Sequence, residues 1–248
     1  MVMDGVSRHT VGRRLRQEGI KCRRPSKKKF ISDINRVERL RFATGKVRWT
    51  QQDWSQVIFS DESPFPIERH DGRLRCYRRA GERLAPNCVT TVRDKRSVHV
   101  WGAIGMNGRS QLVQIRGNMN NVRYRNDIID PHVLPLVRGM RGQVTFQQDN
   151  APPHRARATI AHLQANNIRV MTPWPANSPD LNPLENLWDH LDRVVRNRPD
   201  PPRTPAAMLQ ALTAAWNAID QATIQRLVFS MRRRCRAVMD ANGGHTRY

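Results

Sequence analysis

The sequence is poor in cysteine, in acidic residues and in long apolar runs, and each shortage excludes something. Cys22, Cys76, Cys88 and Cys235 are scattered over 248 residues with no Cys-x-x-Cys pair, which argues against a zinc site and against a disulfide framework. No stretch approaches the ~20 apolar residues that a membrane helix needs, so no membrane partner is expected. The opening Met-Val-Met-Asp-Gly-Val has no apolar core of signal-peptide length. Internal repeats are absent. Acids number 21 against 43 Lys and Arg, leaving a net charge of +22 and a pI near 11.5. Such an excess calls for a polyanionic partner, DNA or RNA ahead of a membrane surface.

What is present suits one substantial core with a small extra module: 38% apolar residues, with six Trp and six Phe to anchor the packing. The charge is uneven. Residues 1–50 carry 15 Lys and Arg against Asp4, Glu18, Asp33 and Glu38, a net of +11 and half of the whole excess. Ser7 can cap a short helix in which Val11 and Leu15 make an apolar stripe, Arg8, Arg13, Arg14 and Arg16 supply positive charge, and Gly19 is a stop. Such a helix suits a DNA groove, or is simply a solvated basic helix. Arg23, Arg24, Lys27, Lys28 and Lys29 then form a basic linker that can hold phosphates or direct import into the nucleus. A polar helix is expected over 31–46, carrying Ile34, Val37 and Leu40.

Beyond Trp54 the pattern changes to strands: 57–60, 74–79, 98–104 and 111–115, separated by turns at Gly72, Gly81 and Gly108. A helix is expected over 121–138, a strand over 144–147, a helix over 155–166 and a strand over 168–171. Three helices near 183–196, 205–219 and 221–240 complete a mixed α/β layer fold.

Three segments each deliver a carboxylate where an element begins or ends. Asp61 follows the apolar Val57-Ile58-Phe59-Ser60, and Asp149 follows Val144-Thr145-Phe146-Gln147 and precedes Asn150-Ala151-Pro152-Pro153-His154. Both positions also suit ordinary turn chemistry. Glu185 falls in Asn182-Pro183-Leu184-Glu185, where it could close a capping box on Asn182, or project from a helix whose buried stripe is Leu184, Leu187, Trp188 and Leu191. Carboxylates gathered from distant segments of a very basic chain fit Mg²⁺-dependent chemistry on nucleic-acid phosphates. His154 could orient a phosphate or be a satisfied loop histidine, and Asp180 reads as a turn or cap residue.

Trp54-Ser55-Gln56-Val57-Ile58-Phe59-Ser60-Asp61-Glu62-Ser63, the glycine hairpin around 71–82, Val100-Trp101-Gly102-Ala103-Ile104, Gln147-Gln148-Asp149-Asn150-Ala151-Pro152, Ser178-Pro179-Asp180-Leu181-Asn182-Pro183-Leu184-Glu185 and the carboxyl end from 226 onward occur in one order. Together they resemble the Tc/mariner superfamily of cut-and-paste DNA transposases, Tc-like branch, over nearly the whole chain. The resemblance implies an RNase H-like mixed sheet flanked by helices over 54–248, a helical linker over 31–53, and a partial helix-turn-helix with basic linker over 1–30. It implies a DDE triad of Asp61, Asp149 and Glu185 acting with two Mg²⁺ (or Mn²⁺) ions. It further implies a nuclear homodimer on double-stranded DNA that cuts at terminal inverted repeats and inserts at TA sites. The alternative is an inactive or host-adopted DNA-binding relative.

Three features depart from the family pattern. Asp149 and Glu185 are separated by one residue more than the commonest spacing, and Arg232 stands where proline is usual. The amino end is expected to lack a first helix-turn-helix unit, leaving residues 7–19 as the recognition helix of the second.

Overall fold

The computed structural model describes residues 7–20, 30–68, 96–140 and 142–248. Contacts divide the chain into a unit of residues 1–30 and a unit of residues 31–248. In the first, α1 (Arg8–Gln17) begins where Ser7 Oγ accepts from the Thr10 amide, and Gly19 takes the left-handed φ of +73° just past the last turn. The expected strand over 74–79 lies outside the described residues.

The larger unit starts with α2 (Asp33–Lys46), capped by Ser32, and α3 (Gln51–Ser55), closed by a capping box between Thr50 and Asp53. β1 (Val57–Pro66), β2 (Ser97–Gly105), β3 (Gly108–Arg109) and β4 (Val113–Ile115) follow. Then come α4 (Asn121–Arg123), a π-helical stretch Tyr124–Val133 and α5 (Leu134–Arg138). β5 (Val144–Gln147), α6 (Pro152–Arg155), α7 (Arg157–Ala165) and β6 (Ile168–Val170) alternate. A 3₁₀ turn at Pro179–Leu181 precedes α8 (Leu184–Arg196), α9 (Pro205–Asn217), α10 (Gln221–Phe229) and α11 (Met231–Asp240).

The sheet order is β3-β2-β1-β5-β6, with β4 also on β2; β1 runs antiparallel to β2 and parallel to β5, and β6 is parallel to β5. Alternation along β1 sends Val57, Phe59 and Phe65 into one core, shared with Trp188, Leu191, Leu212, Trp216 and Val228, while Ile58 enters a second core with Trp101, Tyr124, Ile128 and Leu163. Helices therefore cover both faces of the mixed sheet.

Several elements depart from the sequence reading. β1 does not end at Ser60 but continues through Asp61 to Pro66, paired beyond Phe59 with β2 alone among the described residues. Pro64 and Pro66 are tolerated there because the strand has lost its β5 neighbour. The single helix expected over 121–138 contains ten π-helical residues around Pro131, whose missing amide cannot complete an α-helical rung. A separate one-turn helix, α6, opens on Pro152 and Pro153, which suit a first helical turn, and the last helix is two, joined at Ser230.

The largest departure is in α2. Ile34 and Val37 are 74% and 58% exposed, whereas Arg39 is 1% exposed beside Phe42 and Ala43. Arg39 makes a two-pronged ion pair with Asp180, at 2.7 and 2.6 Å, and also donates to the carbonyls of Gly243 and Gly244. Thr246 Oγ1 donates to the same Asp180 carboxylate at 2.8 Å, and Arg234 donates to the Asp180 carbonyl at 2.7 Å. Asp180 thus lies in a turn, as read from the sequence, and is also a buried ion-pair residue, which the sequence did not show. Removing one partner leaves the other charged and unsatisfied in the core. Arg39→Ala and Asp180→Ala should each lower the unfolding free energy by about 3–5 kcal/mol, read as a fall in the urea midpoint.

Candidate active site

The β1–β5 register brings two of the sequence-predicted carboxylates together. Phe59 pairs with Gln147 in the last rung of the parallel strands, so Asp61 and Asp149 each follow that shared rung by two residues, and Asp149 acts electrostatically on Asp61. Asp149 stands just past the end of β5, exposed at a loop start, while Asp61 is half-buried inside β1.

α8 supplies the third. Asn182 Nδ2 donates to the Ser60 carbonyl at 3.4 Å, and Asn182 Oδ1 accepts from the Leu184 amide at 3.1 Å, fixing the start of the helix against β1. Glu185 is therefore the second residue of α8, not the third that the capping-box reading required. The expected stripe of Leu184, Leu187, Trp188 and Leu191 is buried, and Glu185 is exposed. Glu185 and Trp188 stand three apart on one helix face, and Trp188 Nε1 donates to Asp61 Oδ2 at 3.0 Å.

The electrostatics reflect this convergence. Burial, then repulsion from Glu185 and a smaller contribution from Asp149, push the Asp61 carboxyl up to about 7, against the lowering effect of the Trp188 hydrogen bond. His154 is buried. Burial alone would lower its pKa, but hydrogen bonding to Asp149 and Glu62 outweighs that and raises it to about 9. Asp149 Oδ1 lies 2.5 Å from His154 Nδ1 and also accepts from the Ala151 amide, while Glu62 lies 3.7 Å from His154 Nε2. Tyr124 packs at 4.1 Å against the imidazole and donates to Gln148, whose amide donates to the His154 carbonyl. His154 is thus a cation between carboxylates. Glu62 was missed in the sequence; its place one residue after Asp61 on a strand was the available signal.

Among the described residues no three His, Cys, Asp or Glu side chains gather into a ready-made metal cage. The donor set nevertheless fits a hard divalent cation: burial, together with repulsion from Glu185 and Asp149, raises the Asp61 carboxyl to about 7, the imbalance that such a cation relieves.

In the amino-terminal unit, Arg13, Arg14 and Arg16 are exposed on α1, and Val11 and Leu15 are also exposed, so the expected stripe is unburied within that unit. Arg8 opens the helix, and Arg23, Arg24, Lys27, Lys28 and Lys29 lie outside the described residues.

The fold and the carboxylate face define a DDE-type nuclease: the family model described as DDE superfamily endonuclease matches residues 56–204, and a helix-turn-helix family described as a transposase matches residues 4–48. The Tc1 transposase of Caenorhabditis elegans is 39% identical over 98% of this chain and 88% of its own length, and the Tc3 transposase of the same organism is 30% identical over 98% and 73%. Among solved structures, the Mos1 transposase paired-end complex with left transposon end superposes with a TM-score of 0.79 at 20% identity, over 97% of this chain and 72% of that one. The Mos1 mariner catalytic domain gives 0.67 at 16% identity, over 89% and 99%. The chain belongs to the Tc1/mariner family of DDE transposases, with an RNase H-like catalytic fold.

Gly102 faces Asp61 across the β1–β2 register, and a Cβ there would meet the ring edges of Trp188 and Trp216 at 3.0 Å each. Those indoles stack 5.5 Å apart. Gly102→Ala should therefore displace Trp188 from Asp61 and cost about 1–3 kcal/mol by overpacking, seen as a lower melting temperature with altered near-ultraviolet dichroism.

Proposed function

We propose that Asp61, Asp149 and Glu185 are the catalytic carboxylates of a DNA transposase that cleaves strands at its element's terminal inverted repeats and joins them to target DNA at TA sites. The observation that carries this reading is the convergence on Asp61 of carboxylates drawn from the β5 loop and α8: burial first, then repulsion from Glu185 and, less, from Asp149, lifts Asp61 to about 7. Two divalent cations, Mg²⁺ or Mn²⁺, held by these three residues would supply the charge that activates water or a 3′-hydroxyl and stabilises the departing oxygen. The chain's own contribution is positioning. The strand register fixes Phe59 beside Gln147, from which Asp61 and Asp149 each lead on by two residues, the Trp188 indole orients Asp61, and His154 holds Asp149 through Nδ1. The exposed arginines of α1 and the basic segment at 21–29 hold DNA phosphates. A homodimer on paired ends, acting in the nucleus, completes the proposal.

Asp149→Ala should abolish Mg²⁺-dependent cleavage of pre-nicked ends while leaving non-specific duplex binding nearly unchanged, since a protein of net charge +22 loses only one carboxylate. Glu185→Gln should do the same. Retained cleavage in either variant refutes the assignment.

The raised Asp61 pKa has a second consequence. Because the folded value, about 7, exceeds the ordinary value of 3.8, the protonated group favours the folded state. Its contribution is present below the ordinary value and lost as pH rises through about 7. At pH 8, without added metal, Asp61→Asn should melt higher than the wild type, and added Mn²⁺ should raise the melting temperature of the wild type more than that of the variant. An equal metal response in both would remove Asp61 from the metal site.

A further inference from the structure

The run Arg232-Arg233-Arg234-Cys235-Arg236 splits between two environments. Arg234 and Cys235 turn inward and are buried. The Arg234 guanidinium donates to the Asp180 carbonyl and to Oδ1 of Asn186, the neighbour of Glu185, and lies 4.8 Å from the centre of the Tyr248 ring. Arg232, Arg233 and Arg236 are left on the solvent side of α11. Arg233 and Arg236 line a cavity of about 550 Å³ together with His245, Thr246 and Arg247, and Asp240 is the one acid among its lining residues.

The tail that supplies half of this cavity is tied down. Arg39 donates to the carbonyls of Gly243 and Gly244, Thr246 to Asp180, and the Arg247 guanidinium sits 5.4 Å from the centre of the Tyr248 ring. Among the described residues no carboxylate lies within ion-pair distance of Arg233, Arg236 or Arg247. A solvated basic helix spreads its charges along one element and commonly pairs them at i,i+4. Here three arginines from two separate segments converge on one concavity and outnumber its single acid.

We infer that this cavity is a second DNA-binding site, taking a phosphodiester of the duplex backbone on the outer face of α11, whose inner face touches the helix that bears Glu185. The inference rests on the transposase reading only for the identity of the polyanion. Guanidinium forks match phosphate oxygens, and bonds of this kind position a duplex without reading its bases. The catalytic unit thereby holds DNA through residues outside the amino-terminal basic segment.

The test is the salt dependence of binding of the full chain to a random-sequence duplex. In the triple variant Arg233→Gln, Arg236→Gln, Arg247→Gln, the slope of log K against log salt should fall by about 0.9 for each phosphate no longer neutralised, with an unchanged melting temperature. A control of equal charge, Arg193→Gln, Arg198→Gln, Arg203→Gln, should leave the slope nearly unchanged. Arg233→Lys, Arg236→Lys keeps the charge without the fork and should retain the slope, which separates loss of charge from loss of fold if the glutamine variant is unstable. No fall in the glutamine variant, or an equal fall in the control, overturns the inference. Cleavage by Asp149→Ala reports separately on the transposase reading, because the slope does not depend on catalysis.

Discussion

The buried ion pair between Arg39 and Asp180 is the constraint on which the rest of the catalytic unit is arranged. Placing a guanidinium and a carboxylate in a core carries a desolvation cost that attraction offsets only when every remaining donor and acceptor is satisfied. Here the satisfying groups come from far apart in the chain: Gly243 and Gly244, Thr246 and, through the Asp180 backbone, Arg234. The first helix of the unit, the loop that launches α8 and the carboxyl-terminal tail are therefore locked by one set of bonds. Glu185 begins only five residues after Asp180, so its position is inherited from that lock.

The site itself is organised at two levels. Main-chain hydrogen bonds align Phe59 with Gln147, two residues before each carboxylate, and side chains then aim Asp61 and Asp149, Trp188 on one and His154 on the other. The charge state follows the same division. His154 sits between Asp149 and Glu62 as a local counter-charge, while Asp61 has the Trp188 indole and a Glu62 backbone hydrogen bond to offset burial and Glu185. The half of the site that faces α8 is where a cation has most to gain.

Much of this was legible in the sequence. Short apolar runs marked β1, β2 and β5, the motif carboxylates stood beside them, and the α8 stripe of Leu184, Leu187, Trp188 and Leu191 packed as its spacing foretold. What escaped was decided by long-range partners. Arg39 reads as a solvent-facing charge on a polar helix until Asp180, 141 residues away, is in place. Ile34 and Val37, apolar residues that the polar helix carries, are left exposed. Asp-Glu-Ser-Pro looks like the end of a strand, yet β2 supplies a full ladder beside it and carries β1 to Pro66. Local propensity cannot see a neighbour that has not yet been placed.

The pairing of Phe59 with Gln147 has a consequence for how this chain can tolerate change in length. Nothing covalent between β1 and β5 sets the separation of Asp61 from Asp149, so the stretch linking the two strands can grow or shrink at modest entropic cost. One residue gained or lost inside either strand is a different matter, because it turns the carboxylate that follows to the opposite face of the sheet. Length variation among relatives is therefore expected to collect in the connections, with the two short strand segments before Asp61 and Asp149 held at constant count.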